Sequence, residues 1–400
     1  MKAERLGKHG IKIHGEAMAL FRVFLPFFAI HCTEQVYFVY GNALKGYGFS
    51  SQATGWILGI FFMAVMASRT FGGWAIENFG VRRTLVWSSL LSFAGCSLLY
   101  LKSFAAALFL GRIMAGAAFG VYTMALFSYQ SITASDAKRG RDFAIVVCGG
   151  ILPMATVCPV GEWLLARSME SAFLAIGPAL SLVCWWLGKK IVTTPPRGAK
   201  KRGGTERWGT YGDLLSSRAF LFLVATGILV SITDAFVVSI SLLAAERGVI
   251  ASYFLVSSAI VAVFVRSAGA KALNRLPRRL VIAPCGMLMA AAALYIALVP
   301  SNTSFLIGGV VTGVGIGAAW PLYHALLGDA LEIPLRPKGT AVALLIYDLG
   351  WFFTPLLIGY ASPALGIANT FRAISLFALV SLALMQYLYW APAAKTRGEG

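Results

Sequence analysis

The sequence changes character at Ser68–Leu85, SRTFGGWAIENFGVRRTL, where a long apolar run gives way to paired glycines, an acid and arginines. A weaker copy, VRSAGAKALNRLPRRL, occupies Val265–Leu280. The copies align at a constant offset of 197 positions, which pairs Arg69 with Arg266, Gly72 with Gly269, Glu77 with Asn274, and Gly80 with Pro277. An offset close to half of the 400 residues predicts a chain built from two repeats.

The composition indicates a membrane protein with many spans. Hydrophobic residues make up 58% of the chain and charged residues 12%, and the mean hydropathy is +0.76. A soluble domain carries about 25% charged residues, so that class is excluded. Apolar segments of about 20 residues, each able to cross a ~30 Å hydrocarbon layer as a helix, recur along the chain. The strict alternation of a β-barrel is absent, so the sequence predicts an all-α membrane protein.

Twelve spans follow from these segments, and the basic residues orient them. The predicted spans are 18–40, 53–76, 84–101, 104–127, 143–166, 171–187, 219–243, 249–270, 280–299, 304–327, 339–361 and 369–391. Most of the 34 Lys and Arg residues fall in alternate connecting segments. This bias predicts that both termini are cytoplasmic, and it explains the net charge of +18 without a nucleic-acid partner. The compact loops suggest a bacterial source, so the expected location is a bacterial inner membrane.

The longest polar insert divides the chain. Residues 188–218 are basic and rich in Pro and Gly, which predicts a cytoplasmic linker between an N-terminal bundle, residues 1–187, and a C-terminal bundle, residues 219–400. The linker charges are expected to meet anionic lipid headgroups, with a partner-binding role as the alternative. The predicted fold is two pseudo-symmetric six-helix bundles.

The repeated stretch predicts a gate at the cytoplasmic face. Its arginines can pair with the acid and with helix carbonyl ends, while its glycines allow close helix approach and a tight turn. The alternative is that the arginines are only positive-inside anchors. The predicted gating residues are Arg69, Gly72, Gly73, Glu77, Gly80, Arg82, Arg83, Arg266, Gly269, Asn274, Arg275, Arg278 and Arg279.

Several ionisable residues lie inside predicted spans, where each charge costs roughly 2.5–3.5 kcal/mol and therefore needs a partner or an aqueous cavity. The candidates for substrate binding or proton coupling are Glu34, His31, Arg112, Asp234, His324 and Asp348. Structural alternatives are a Glu34–Arg112 pair, a hydrogen-bonding role for His31 and a capping or packing role for Asp348. Glu162, near the outer end of span five, is expected to be solvated.

The motifs resemble those of the major facilitator superfamily. GGWAIENFGVRR is similar to the family's loop signature after span two, with Glu77 as its acid, and LGRIMAGAAFG is similar to its span-four motif, with Arg112 and Gly116. GVGIGAAWPLYHALLGD and YDLGWFFTPLLIG resemble spans ten and eleven of its drug and metabolite efflux branch. The resemblance implies that spans one, four, seven and ten line a central cavity, which all the candidates except Asp348 would face.

Together these features predict a proton-coupled secondary transporter that works by alternating access. The efflux resemblance favours antiport export of a small amphipathic or metal-chelating metabolite or drug. One alternative is a proton-coupled importer of a small anion, with arginines of spans two, four and eight as counter-charges. Another is a non-transporting membrane sensor or scaffold. We expect a monomer that is not an enzyme and has no cofactor or metal, since nucleotide, hydrolase and metal-ligand motifs are absent from the sequence.

Overall fold

The computed structural model describes residues 20–133, 145–191, 211–269, 272, 275–332 and 335–395. In this part of the chain the regular structure is entirely helical, and we number the long helices α1 to α12. The first half contains α1 (residues 20–35), α2 and α3 (together Ser51–Leu98), α4 (Ala105–Thr133), α5 (Ile145–Ala166) and α6 (Glu170–Lys189). The second half contains α7 (Arg218–Asp234), α8 (Ser252–Ser267), α9 (Arg278–Leu298), α10 (Asn302–Ala330), α11 (Arg336–Leu365) and α12 (Ile367–Met385).

Gly80 separates α2 from α3. The run Ser51–Leu98 has 48 residues, or about 72 Å of helix, which is more than twice the hydrocarbon thickness. Its backbone leaves helical geometry at Gly80, with φ 75° and ψ 160°, a conformation essentially restricted to glycine. The chain therefore makes two passes, and Gly80 lies at the turn that the sequence predicted.

Most of these helices have the length and composition of membrane spans. Among the described residues, nine helical runs qualify when α2 and α3 are counted as one. The helix α8 is shorter, at 16 residues, and α1 begins at the edge of the described chain. The prediction of an all-helical integral membrane protein is confirmed. Of the predicted linker, residues 192–210 lie outside the described part, and the short helix Tyr211–Ser216 precedes α7.

Serine side chains begin several helices. Ser50 accepts the Ala53 amide at 3.2 Å at the start of α2, and Ser217 accepts the Phe220 amide at 3.3 Å at the start of α7. A hydroxyl in this position satisfies one of the free amides of the first turn. Each of these serines lies immediately before an apolar run, so the helix begins where the sequence places a capping residue.

Both halves interrupt their first helix at the same place. After α1, Val36–Val39 forms a 3₁₀ turn before an α-helix resumes at Tyr40–Gly46. After α7, Ala235–Ser239 does the same before Ile240–Arg247. The two turns directly follow Gln35 and Asp234, so the repeat seen in the sequence is also present in the backbone.

Equivalent helices also cross closely in each half. A Cβ placed on Gly116 of α4 would lie 2.2 Å from the Phe61 carbonyl oxygen of α2. A Cβ on Gly313 of α10 would lie 2.6 Å from the Ser258 carbonyl oxygen of α8. Both distances are too short for any larger residue, so glycine sets the spacing of the two pairs.

We call the end of the helices that carries Arg82, Arg83, Arg278 and Arg279 the basic end, and the other the opposite end. The helix α11 runs antiparallel to α2, and Gly359 approaches the Ser51 carbonyl there. Trp56 of α2 donates its Nε1–H to the Tyr360 hydroxyl at 3.1 Å. The first turns of α2 and the last turns of α11 therefore join the halves at the opposite end.

Candidate functional site

A cavity of about 540 Å³ lies between the halves, and α1, α2, α4, α5, α7, α8, α10 and α11 all contribute to its wall. Its titratable lining residues are His31, Glu34, Arg69, Asp234, Arg266, His324 and Asp348. The structure thus brings five of the six predicted coupling residues together with two of the predicted gating arginines. A volume in this range suits a small-molecule ligand.

Asp348 lines the cavity, in contrast to the expectation that it would face away from the transport path. Its carboxylate forms a two-contact ion pair with Arg69, at 2.8 Å to Nε and 3.1 Å to Nη2. The contact from Nη2 is a hydrogen bond to Oδ1, and the contact between Nε and Oδ2 adds the attraction of opposite charges. Because Arg69 is on α2 and Asp348 on α11, the pair joins the two halves within the cavity wall.

Glu34 and Asp234 occupy equivalent places at the end of α1 and α7, just before the 3₁₀ turns. Asp234 is 2% exposed and accepts the Trp320 Nε1–H at 3.0 Å. Glu34 is 6% exposed and forms no hydrogen bond or ion pair with the described residues. The cavity therefore holds two carboxylates that no described cation neutralises by direct contact.

Arg266 supplies a positive charge that is also without an ion pair in the described chain. Its Nη2 donates to the Ile316 carbonyl at 3.1 Å, and its Nε has no hydrogen-bond partner. Since a backbone carbonyl carries only a partial charge, the guanidinium keeps most of its capacity to bind an anion. The sequence predicted Arg266 as a gating residue, and the structure places it in the cavity wall.

The two histidines differ in their surroundings. His31 Nδ1 lies 2.7 Å from the Phe27 carbonyl oxygen, four residues earlier on α1, so this nitrogen carries a proton and Nε2 remains for other partners. His324 lies near the rings of Trp320 and Tyr323, with centroid distances of 6.3 and 6.0 Å. The hydrogen-bonding role considered for His31 is thus present, within its own helix.

Arg112 is not part of the cavity lining. It is 1% exposed and donates to the Ile57 and Leu58 carbonyls at 3.1 and 3.3 Å. Its guanidinium also lies 4.5 Å from the Phe61 ring centroid. The Glu34–Arg112 ion pair considered from the sequence is not formed. These contacts tie α4 to α2 within the first half.

Most other predicted gating residues lie at the basic end or at helix crossings. Glu77, Arg82, Arg83 and Arg275 are exposed, Gly72 packs on α4 at Met124, and Gly73 has open space beside it. Arg278 pairs with Asp329 at 2.5 Å, and Arg279 donates to the Ala393 carbonyl at 2.9 Å. Gly269 lies two residues after the end of α8, close to the Val265 carbonyl, and Asn274 lies outside the described residues.

Sequence reasoning missed some of the wall. Phe27 and Gln35 line the cavity, and Gln35 donates its side-chain amide to the Gly150 carbonyl at 2.5 Å. The spacing of Phe27, His31 and Glu34 places all three on one face of span one. Because His31 and Glu34 marked that face as the one toward the cavity, the same spacing could have indicated Phe27.

Comparison with known proteins decides the family. The sequence profile of the Major Facilitator Superfamily matches residues 17–284 and 244–400. The chain belongs to the Major Facilitator Superfamily. The resemblance inferred from the motifs is confirmed, and membership places this protein among transporters and not among enzymes.

Solved structures agree with this superfamily fold. A bacterial homologue of the human lysosomal transporter Spinster, in an inward-facing and unoccupied conformation, superposes with a TM-score of 0.74 at 16% identity, over 94% of this chain and 97% of that one. A D-xylose-proton symporter superposes with a TM-score of 0.72 at 13% identity, over 92% and 96%. At these identities the likeness concerns the fold alone.

A curated protein is also similar to this chain in sequence. It is described as probable anion transporter 5 of Arabidopsis thaliana and is 30% identical over 200 residues. The match covers 47% of this chain and 44% of the relative, less than half of either protein.

Proposed function

We propose that this transporter carries a small organic anion together with protons. The observation that supports the proposal is the set of ionisable groups without ion pairs in one cavity, namely Arg266, Glu34 and Asp234. Arg266 is the anion-binding group, and the two carboxylates are the proton-binding groups. The similarity to a probable anion transporter supports the choice of an anion.

Charge explains why protons and anion move together. An ionised Glu34 or Asp234 repels an anion held at Arg266, and this repulsion is strong in a cavity with little water. Protonation removes the negative charge, so bound protons raise the affinity for the anion. By thermodynamic reciprocity the bound anion also favours protonation, which couples their movement in one direction. Protonation of His31 or His324, which line the same cavity, would act in the same sense.

Alternating access supplies the transport step. We propose that the N-terminal bundle, residues 1–187, and the C-terminal bundle, residues 219–400, rock about the cavity, with the basic end and both termini in the cytoplasm of a bacterial cell. The predicted gating residues at the basic end then act where the bundles separate. The protein works as a monomer surrounded by lipid, since each chain has its own cavity.

The test uses purified protein in vesicles with a trapped pH dye. Benzoate and lactate, added outside at equal pH, are expected to acidify the lumen faster than in protein-free vesicles. Arg266→Ala should abolish this difference. Glu34→Gln with Asp234→Asn should retain anion binding in lipid nanodiscs but reduce the tightening between pH 8 and pH 6 to the part that the cavity histidines supply. Glu170→Gln, which alters the Lys102–Glu170 ion pair outside the cavity lining, is the matched control.

The second candidate is export of an amphipathic metabolite or drug by antiport, which the resemblance to the efflux branch favoured. The aromatic cavity wall supports an amphipathic ligand. In antiport a cationic ligand competes with protons for Glu34 and Asp234, so adding it outside would release protons from the lumen. Luminal alkalinisation by the amphipathic cation ethidium, with no response to anions, would overturn the anion proposal. Binding of anions without flux would indicate the sensor or scaffold.

A further inference from the structure

Two aromatic surfaces from different halves face the cavity. The first wall consists of Phe27, His31, Phe119 and Phe127, on α1 and α4. The second wall consists of Trp320, Tyr347 and Trp351, on α10 and α11. Every one of these residues contributes to the cavity lining, so a ligand in the cavity can contact aromatic rings of both halves.

The first wall is continuous. The ring centroids of Phe27 and Phe127 are 5.1 Å apart, and those of Phe27 and His31 are 4.2 Å apart. Phe119 extends the wall, at 4.8 Å from His31. Because the His31 Nδ1 is held by the Phe27 carbonyl, the imidazole plane is fixed and presents a ring surface.

The second wall is equally continuous, and its geometry is anchored. Tyr347 lies 4.4 Å from Trp320 and 5.4 Å from Trp351, measured between ring centroids. The hydrogen bond from Trp320 to Asp234 fixes the indole. Rigid rings of this kind provide contact area for a flat ligand without losing much conformational freedom on binding.

Arg266 is placed at one edge of the second wall. It donates to the carbonyl of Ile316, which is one helical turn before Trp320 on α10. The other arginine of the cavity, Arg69, is already neutralised by Asp348. Among the arginines that line the cavity in the described chain, Arg266 is therefore the one without an ion pair, and a second negative charge on a ligand would face Glu34 and Asp234 without an arginine partner.

We infer that the ligand is a monovalent anion with a planar aromatic ring, whose carboxylate binds Arg266 and whose ring lies between the first and second walls. This inference rests on the proposed function and specifies its substrate class. Ring contacts from both halves favour an aromatic body over a puckered ring of similar size, and Arg266, the arginine of the described lining that has no ion pair, favours one carboxylate over two.

The experiment measures binding by calorimetry with the full-length protein in lipid nanodiscs at pH 6. The probes are benzoate, cyclohexanecarboxylate and phthalate, which share a carboxylate and differ in ring planarity or charge. Benzoate is expected to bind about tenfold tighter than cyclohexanecarboxylate, as two aromatic contacts imply, and phthalate is expected not to bind. Equal affinities for benzoate and cyclohexanecarboxylate would overturn the inference while leaving anion transport intact. Failure of all anions would overturn the proposed function itself.

Variants assign the selectivity to the walls. Phe127→Leu in the first wall and Tyr347→Leu in the second each remove one of the two aromatic contacts, so each should lower the preference for benzoate from about tenfold to about threefold, while the cyclohexanecarboxylate affinity should change less than twofold. Phe305→Leu, in the Phe254–Phe305 ring pair outside the cavity lining, should leave the ratio unchanged. A wall variant that is folded and keeps the tenfold preference would contradict the inference. If Tyr347→Leu does not fold, Phe127→Leu provides the same test.

Discussion

Arg69 and Arg112 are both arginines inside the first half, and their partners give them different roles. Arg112 is surrounded by backbone carbonyls and rings of the same half, so its contacts hold helices together. Arg69 reaches Asp348 on the other half, and its side chain is 18% exposed toward the cavity. Only the second arrangement can change with the ligand or with the position of the halves.

Asp348→Asn should therefore change which anions the cavity accepts. The substitution removes the negative charge that neutralises Arg69, so the cavity gains a second free cation. We expect phthalate, for which no binding to the unmodified protein is expected, to bind with an affinity at least tenfold above the detection limit by calorimetry in nanodiscs at pH 6. Asp329→Asn, which breaks the Arg278–Asp329 pair at the basic end, should give no phthalate binding. Phthalate binding to neither variant would mean that Arg69 does not reach the ligand.

The sequence predicted the cavity acids better than their partners. Glu34 and Asp234 could be found because they are ionisable, lie inside apolar spans and occur 200 positions apart. The Arg69–Asp348 pair could not be found, because its members are 279 positions apart and local spacing does not relate α2 to α11. Arg112 could not be separated from the cavity residues either, since the spacing of span four does not reveal which side chain meets carbonyls.

At the scale of the elements, two glutamates cap helices in different ways. Glu162 of α5 accepts the Ala251 and Ser252 amides at 2.7 and 2.8 Å, and also the Ser252 hydroxyl, at the start of α8. Glu246, after α7, accepts the Ile367 and Ala368 amides at 3.2 and 2.7 Å at the start of α12. The first contact joins the two halves at the opposite end, and the second stays within one half. Glu162 is thus bonded to protein and is not the solvated residue that its position near a span end predicted.

Glu162→Ala should weaken the contact between the halves at the opposite end, because the α8 amides lose a charged acceptor from the other half. We expect distances between spin labels at Lys45→Cys and Asn369→Cys to shift to longer values, measured by double electron–electron resonance. Glu246→Ala removes an equivalent helix cap within the second half. It should therefore lower the midpoint temperature of thermal unfolding without lengthening the distance between the two spin labels. Identical distance distributions in the two variants would show that the Glu162 contact does not hold the halves together.

The sequence predicted the positions of helices that a local pattern of apolar residues or glycine defines. It did not predict the irregular turns, which no local pattern marks. Apolar run length located the long helices of the described chain, and Gly80 indicated the α2–α3 turn. The 3₁₀ turns after α1 and α7, and the irregular residues 149–152 within α5, have no such signal, because Val36–Val39 and Ala235–Ser239 are as apolar as the helices around them. Their geometry depends on packing against other helices, which composition does not encode.

At the scale of the whole molecule, two kinds of glycine contact can be distinguished: those within one half and those between the two halves. Gly55 of α2 meets α11 at the opposite end, where an added Cβ would lie 2.5 Å from the Pro355 carbonyl oxygen. Gly116 of α4 meets α2 within the first half at 2.2 Å from the Phe61 carbonyl oxygen. If the halves rock as rigid bodies, the Gly116 contact is present in every state, whereas the Gly55 contact is present only while the opposite end is closed.

Gly55→Ala should therefore shift the conformational equilibrium, and Gly116→Ala should not. Overpacking costs about 1–3 kcal/mol, which applied to one state alone changes the ratio of two states by roughly 5- to 150-fold. We expect Gly55→Ala to move the Lys45→Cys and Asn369→Cys label distances toward longer values, because the added methyl group opposes closure of the opposite end. Gly116→Ala should raise the free energy of both states equally. The midpoint temperature of thermal unfolding should therefore fall, while the distribution of distances between the labels should not change. A lower midpoint with unchanged distances in both variants would mean that the α2–α11 contact persists throughout the cycle, and that the two halves do not separate at this end.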